Sequence, residues 1–244
     1  MNFRNIPPVV KNLLIINGLF YLTTILLQNH GIDLAHYLGL HYWDSPGFKP
    51  HQLITYMFMH SSSDFMHILF NMFAVWMFGR VLEGVWGAKR FLIYYIVTGV
   101  GAGLIQMLVA YLRIAGLGDA VTPEVMDLIM KKGYEATLQH QNFTDPFLAN
   151  LNGLINGVTV GASGAVFGIL LAFGMLFPNT ELMLLFPPIP IKAKWFVIGY
   201  GALELYSGFA NNPNDNVAHF AHLGGMLFGF FLIQMWKKDR GKFY

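Results

Sequence analysis

Long apolar runs alternate along this chain with short polar connections, many of them charged. A helix that crosses a bilayer needs roughly 20 mostly apolar residues. Six stretches qualify: 9–28, 64–83, 91–115, 154–177, 194–209 and 217–236. The fourth is rich in glycine and interrupted near Gly161, while the fifth is short and carries Glu204. No internal repeat, low-complexity tract or extra soluble domain is visible. The pattern predicts one all-α domain over residues 1–244, a polytopic six-transmembrane-helix bundle with a short, Gly-broken fourth helix.

Composition sharpens that expectation. Of the 244 residues, 55% are hydrophobic and 11% charged, with a mean hydropathy of +0.49. Soluble domains carry about 25% charge, so the usual solvating side chains are missing. A net charge of +2 gives no footing for a nucleic-acid partner. With no cysteine, disulfides, thiolate metal sites and a cysteine nucleophile are excluded. No small-residue cleavage motif follows the first apolar stretch, so a cleavable leader is not expected.

Where the cations sit gives an orientation, because short cytoplasmic loops collect Lys and Arg. Arg4 and Lys11 lie at the first stretch, and Arg80, Lys89 and Arg90 between the second and third. Lys192 and Lys194 precede the fifth, and Lys237, Lys238, Arg240 and Lys242 follow the sixth. The other loops are acidic, with Asp33 and Asp44, then Asp119, Glu124, Asp127, Glu135 and Asp145, then Asp215. Both termini are therefore expected in the cytoplasm. Two outer connections are long. Residues 30–63 contain five histidines and the interfacial aromatics Tyr42, Trp43 and Phe48. In 116–150, Thr122-Pro123 reads as a helix N-cap with proline at the first position. Val125, Leu128, Ile129 and Met130 would then form an apolar stripe against the membrane, although a plain surface loop fits as well.

Polar side chains inside spans are costly and tend to mark function. His67 and Asn71 fall near the start of the second stretch, Ser163 in the fourth and His222 early in the sixth. All three stretches run outside to inside, so these groups converge at one outer depth. His67 and Asn71, four apart, share a helix face. Gly161-Ala162-Ser163-Gly164 surrounds a hydroxyl with small residues, and non-helical backbone at membrane depth is tolerated where it lines a cavity. The following helix start would leave N–H groups free to stabilise negative charge. His222 is the natural base for Ser163. No Asp or Glu is expected at that depth, so a dyad is favoured over a triad, with Phe167 available to stack on the imidazole. His67, Asn71 and the Ser163 backbone N–H remain as oxyanion donors.

Blander readings stay open at this point. A serine among glycines is also a close-packing device, and His67 or Asn71 could be interhelical hydrogen-bonding groups. His219 and His222, three apart, raise metal ligation together with His67, but no carboxylate or third imidazole is expected to complete a set on those helices and H-E-x-x-H is absent, so no metal and no other cofactor is expected. The soluble nucleophile elbow also fails, because Ala165 stands at its second glycine.

Taken together, His67-Ile-Leu-Phe-Asn71, Gly161-Ala162-Ser163-Gly164 with Gly168, and Ala221-His222-Leu223-Gly224-Gly225 resemble the motifs of the rhomboid family of intramembrane serine proteases. The resemblance covers roughly residues 50–236. It implies a Ser163 nucleophile, a His222 general base, and His67 and Asn71 in the oxyanion hole. It implies a serine helix that starts part-way through the bilayer, beneath a cavity open to the outer face. Gly225 and Gly229 would let the sixth helix pack closely on the fourth, with Gly161 and Gly164 supporting the serine. His219 would sit nearer the outer surface. The fifth span and the loop 208–216 would be gate and cap. Arg80 and Glu83 resemble a structural pair. Where the family often has Trp-Arg in its first outer loop, this chain has Trp43-Asp44. The implied activity is endopeptidase cleavage in or near transmembrane segments of other membrane proteins, within the lipid bilayer. A bacterial inner membrane is the expected location. The alternatives are a non-proteolytic relative that binds and escorts membrane proteins, and a small transporter.

Overall fold

A computed structural model describes residues 6–183, 188–210 and 217–238. A helix occupies each of the six apolar stretches. We label them α1 (Pro8–Gln28), α2 (Phe65–Trp86), α3 (Ala88–Ala115), α4 (Ser163–Leu176), α5 (Ala193–Ala210) and α6 (His219–Lys238). The protein is an integral membrane helical bundle; α1, α2 and α3 are each long and apolar enough to cross a membrane.

Polarity in α1 runs opposite to that of a soluble helix. Asn17 and Thr24 are buried, with Asn17 Nδ2 donating to the Leu13 carbonyl and Thr24 Oγ1 to that of Phe20, both at 2.8 Å. Leu19, Leu22 and Leu26 point outward. Lipid solvates such leucines, whereas an unsatisfied polar group in it costs several kcal/mol. The first turn of α1 is capped from another helix. Glu83 of α2 accepts the N–H groups of Val9 and Val10 at 2.9 and 2.8 Å. Arg80 instead lies over the Trp76 ring, 4.9 Å from its centroid, so the two do not act as the expected pair.

The fourth stretch departs from a single interrupted span. A helix Pro146–Asn156 ends at Gly157, extended backbone follows, and α4 begins only at Ser163. Its 14 residues rise about 21 Å at 1.5 Å each, short of a hydrocarbon core of roughly 30 Å. The chain breaks where three β-branched residues, Val158, Thr159 and Val160, lie between Gly157 and Gly161, a run that disfavours helix and suits extended backbone. α6 packs mainly on α3 and α4. A Cβ on Gly225 would run into the carbonyl oxygen of Gly164, so the α4–α6 approach needs glycine there. Gly229 does not face α4 as expected; it faces the Tyr94 hydroxyl of α3.

The two long connections, 30–63 and 116–150, are joined to each other and to the backbone leading into α4. Leu40 and Thr159 exchange both backbone hydrogen bonds at 2.9 Å. Ser45 Oγ donates to Asn156 Oδ1 at 2.9 Å, and Tyr134 OH lies 3.0 Å from His36 Nε2. Gln52 holds the first loop from within, accepting from Lys49 N and donating to the Gly47 carbonyl, each at 3.0 Å. These bonds anchor the loop without a Trp-Arg pair; Trp43 Nε1 donates to Asp44. In the second long connection Thr122 caps Pro123–Leu128 by accepting from Val125 N. Its apolar stripe is turned inward: Ile129 is buried and its carbonyl accepts from Asn156 Nδ2, while Leu128 is exposed. The stripe therefore packs on Pro146–Asn156, because a helix tethered to two neighbours has protein to bury against. On the opposite side, a small hairpin pairs Glu181–Met183 with Pro190–Lys192, a feature the apolar pattern did not predict.

Candidate active site

Ser163 is the first residue of α4, and the turn that delivers it depends on Gly161. That residue has φ +129°, a region L side chains rarely adopt, and its N–H donates to the Tyr56 carbonyl at 3.0 Å. A Cβ there would also come within 2.9 Å of His67 Nε2. The loop thus passes directly beside His67 before the helix starts. The first N–H groups of an α-helix have no acceptor within it, so those at Ser163 and Gly164 face the helix mouth.

The α4–α6 contact brings the hydroxyl to an imidazole. Ser163 Oγ lies 2.8 Å from His222 Nε2, with His222 buried and Ser163 half-buried. Phe167, one turn past Ser163, lies flat against the imidazole, with centroids 4.2 Å apart and planes within 7°. Tyr200 of α5 stacks on the other side of Phe167 at 5.0 Å. This stack fixes the plane of the His222 ring.

His67 and Asn71 are on α2, on the helix face nearest Gly161. Asp64 caps that helix by accepting from Met66 N and His67 N. Asn71 is buried and its Nδ2 donates to the His67 carbonyl at 2.7 Å, which leaves a second amide hydrogen on the same nitrogen. His60 of the first loop stands behind His67, their ring centroids 5.2 Å apart. Burial, with the neighbouring His67 adding to it, pushes the His60 imidazole down to about 4.

One expectation is overturned. A carboxylate does lie at the depth of the serine and histidine: Glu204 of α5, buried in the bundle. Its Oε2 is 2.8 Å from His222 Nδ1 and 2.7 Å from His219 Nδ1. The acidic residue was visible in the fifth stretch, but that stretch's uncertain ends hid its depth. α5 and α6 are antiparallel neighbours. Glu204 lies six residues before the end of α5 at Ala210 and His222 three after the start of α6 at His219, so both fall within two turns of the same end of this helix pair, and that was the available signal. Glu204, His219 and His222 also make a set with the donor types of a metal site. Their separations of 2.7 and 2.8 Å are hydrogen-bond lengths; tetrahedral zinc with bonds of about 2.0–2.1 Å would hold its ligands about 3.3 Å apart. Of the expected cap, 208–216, residues 211–216 lie outside the described residues.

Chemically, the arrangement offers a hydroxyl with an acceptor nitrogen at hydrogen-bond distance, at a helix N-terminus, beside a histidine and an asparagine. Comparison with known proteins points the same way. The sequence model named Rhomboid domain matches residues 47–238. The chain is 26% identical over 184 residues to "Rhomboid protein 1, mitochondrial" of Saccharomyces cerevisiae, covering 74% of this chain and 42% of that protein. It is 29% identical over 192 residues to "Putative rhomboid protease YdcA" of Bacillus subtilis, covering 78% and 69%. "Rhomboid-like protein 11, chloroplastic" of Arabidopsis thaliana is 26% identical over 241 residues, covering 91% and 66%. The chain thus spans less than half the length of the yeast relative and about two thirds of the other two.

Proposed function

The chain belongs to the rhomboid family, and from that premise we propose that it is an intramembrane serine endopeptidase that hydrolyses peptide bonds in or near transmembrane segments of other membrane proteins. The observation that carries the reading is the 2.8 Å contact between Ser163 Oγ and His222 Nε2 at the start of α4.

In this reading His222 Nε2 takes the Ser163 proton as Oγ bonds to the scissile carbonyl carbon. The carbonyl oxygen becomes an oxyanion. The backbone N–H of Ser163, at the positive end of α4, stabilises it together with His67 and Asn71. Collapse breaks the C–N bond, and the imidazolium returns its proton to the leaving amine. Water, deprotonated by the same nitrogen, then attacks the acyl-enzyme and releases Ser163. Removing one oxyanion donor typically costs about 10²–10³ in kcat. Stacking on Phe167 limits rotation of His222 during both transfers.

The basic residues in alternate loops support a reading in which both ends are cytoplasmic and the Ser163 end of α4 faces outward, and we assign the chain to a bacterial plasma membrane on that reading. The relatives named mitochondrial and chloroplastic carry the same family's domain in organelles. Substrates are transmembrane proteins whose helix can locally unwind, since attack requires an extended backbone.

The test uses the purified full chain in bilayers. Wild type should cleave a single-span membrane protein and be labelled at Ser163 by a serine-reactive phosphonate. Ser163→Ala and His222→Ala should do neither. Cleavage that survives Ser163→Ala overturns the assigned nucleophile, and a wild type that the phosphonate leaves unlabelled favours the escort alternative.

A further inference from the structure

The carboxylate of Glu204 faces the same imidazole from the side opposite the serine. Its Oε2 lies 2.8 Å from His222 Nδ1, and His222 Nε2 lies 2.8 Å from Ser163 Oγ, so the three groups form one continuous chain of hydrogen-bonding distances. They come from α5, α6 and α4. We infer that Glu204 is a positioning residue that makes the Ser163–His222 pair a triad, holding His222 in the one tautomer able to accept the serine proton.

The argument is one of donors and acceptors. A carboxylate only accepts hydrogen bonds, and a neutral imidazole has one N–H and one lone pair. With Nδ1 against the Glu204 oxygen, the ring proton sits on Nδ1 and the lone pair is at Nε2, facing Ser163 Oγ. The opposite tautomer would set two lone pairs against each other at 2.8 Å and turn an N–H toward the hydroxyl that must lose its proton. Phe167 cannot make this choice, because a flat stack presents the same face to either tautomer. Stacking sets the ring plane, and Glu204 sets which nitrogen carries hydrogen. After transfer, the same carboxylate faces the imidazolium, whose charge it offsets.

His219 completes the arrangement. Its Nδ1 meets the same Oε2 at 2.7 Å, so Glu204 receives two imidazoles and does not stand as an unpaired charge among apolar side chains. Two donors from one turn of α6 also pin the carboxylate between them, which fixes the direction from which it meets His222. A simple helix-to-helix staple between α5 and α6 would need neither a carboxylate nor the alignment with Ser163.

This inference rests on the proposed Ser163 and His222 chemistry, and the experiment separates the two. Wild type, Glu204→Gln, Glu204→Ala and Glu204→Asp are compared for cleavage, for the rate of phosphonate labelling and for thermal unfolding. Loss of the analogous carboxylate's charge in a soluble serine protease lowers kcat by about 10⁴. Glu204→Gln and Glu204→Ala should lower kcat and the labelling rate by about 10²–10⁴, with KM within roughly threefold. Glu204→Asp should restore part of the loss. Nitrogen NMR of ¹⁵N-histidine-labelled wild type should show the His222 proton on Nδ1. It reads the native chain, so it remains decisive if the substitutions unfold the protein. A wild-type proton on Nε2, or Glu204→Gln labelled at the wild-type rate, overturns the role of Glu204 and leaves the nucleophile assignment standing. A wild type unlabelled at Ser163 overturns the protease reading first.

Discussion

Adding one methyl group at Gly225 should disable the site from behind. The new Cβ would strike the carbonyl oxygen of Gly164, the residue after Ser163, and a backbone carbonyl in a helix cannot rotate aside. A relaxed C···O contact needs about 3.3 Å, so α6 must retreat from α4 by something on the order of 1 Å. Forcing an extra carbon into a packed contact costs about 1–3 kcal/mol. For a chain of this size each kcal/mol lowers Tm by about 2–4 °C, so Gly225→Ala should melt roughly 2–12 °C below wild type. The kinetic effect should be larger. His222 travels with α6, and its 2.8 Å contact with Ser163 has no slack; a misplacement of about 1 Å can cost 10²-fold in rate. Gly199 on α5 supplies the control, since a Cβ there meets nothing within 4 Å. Gly199→Ala should gain about 0.5–1 kcal/mol from the lower entropy of its unfolded chain. Both variants go through thermal unfolding in one detergent and phosphonate labelling. If Gly225→Ala melts and labels like wild type, or Gly199→Ala loses as much as Gly225→Ala, the packing argument is wrong.

Two further outcomes follow from other buried groups. His60 is 1% exposed and its imidazole is held down at about 4 by burial and by His67, against about 6.5 when unfolded. The folded chain therefore binds fewer protons between those values, and stability present above pH 6.5 is lost as pH falls toward 4, by about 3 kcal/mol at 1.4 kcal/mol per tenfold change in proton affinity. Chemical denaturation at pH 7 and pH 4.5 should show that loss in wild type and a smaller one in His60→Leu; equal losses would refute it. Glu83 accepts two backbone N–H groups at the start of α1, and charge-assisted bonds are worth roughly 1.5–3 kcal/mol each. Glu83→Ala should cost about 3–6 kcal/mol in the same assay and raise hydrogen exchange at Val9 and Val10; unchanged exchange would show that the cap is idle.

What could be read from the sequence divides along physical lines. The membrane helices were legible because apolar runs of bilayer length have few other uses, and their ends agreed within a few residues except at the start of the fourth, which begins nine residues later than expected, at Ser163. Ser163, His222, His67 and Asn71 stood out because polar groups are rare in such runs. The break at Gly161 was visible through the glycines, but not that it would run to Gly157, because an extended stretch stabilised by Thr159 and Leu40 depends on a partner 119 residues away. The same limit hid the anchoring of the first loop through Ser45 and Asn156. Glu204 was hidden differently. A lone acid in a short span of uncertain ends could not be assigned a depth, and only the packing of α5 on α6 sets it beside two imidazoles.

The hydroxyl and the imidazole that meets it are 59 residues apart in the chain, with a hairpin and all of α5 between them. A ribosome feeds residues into the membrane in order. Ser163 therefore enters with no proton acceptor beside it and stays so until α6 has been threaded into its slot between α3 and α4. A half-made molecule holds a lone alcohol, and the pair to which we ascribe attack exists only once assembly is complete.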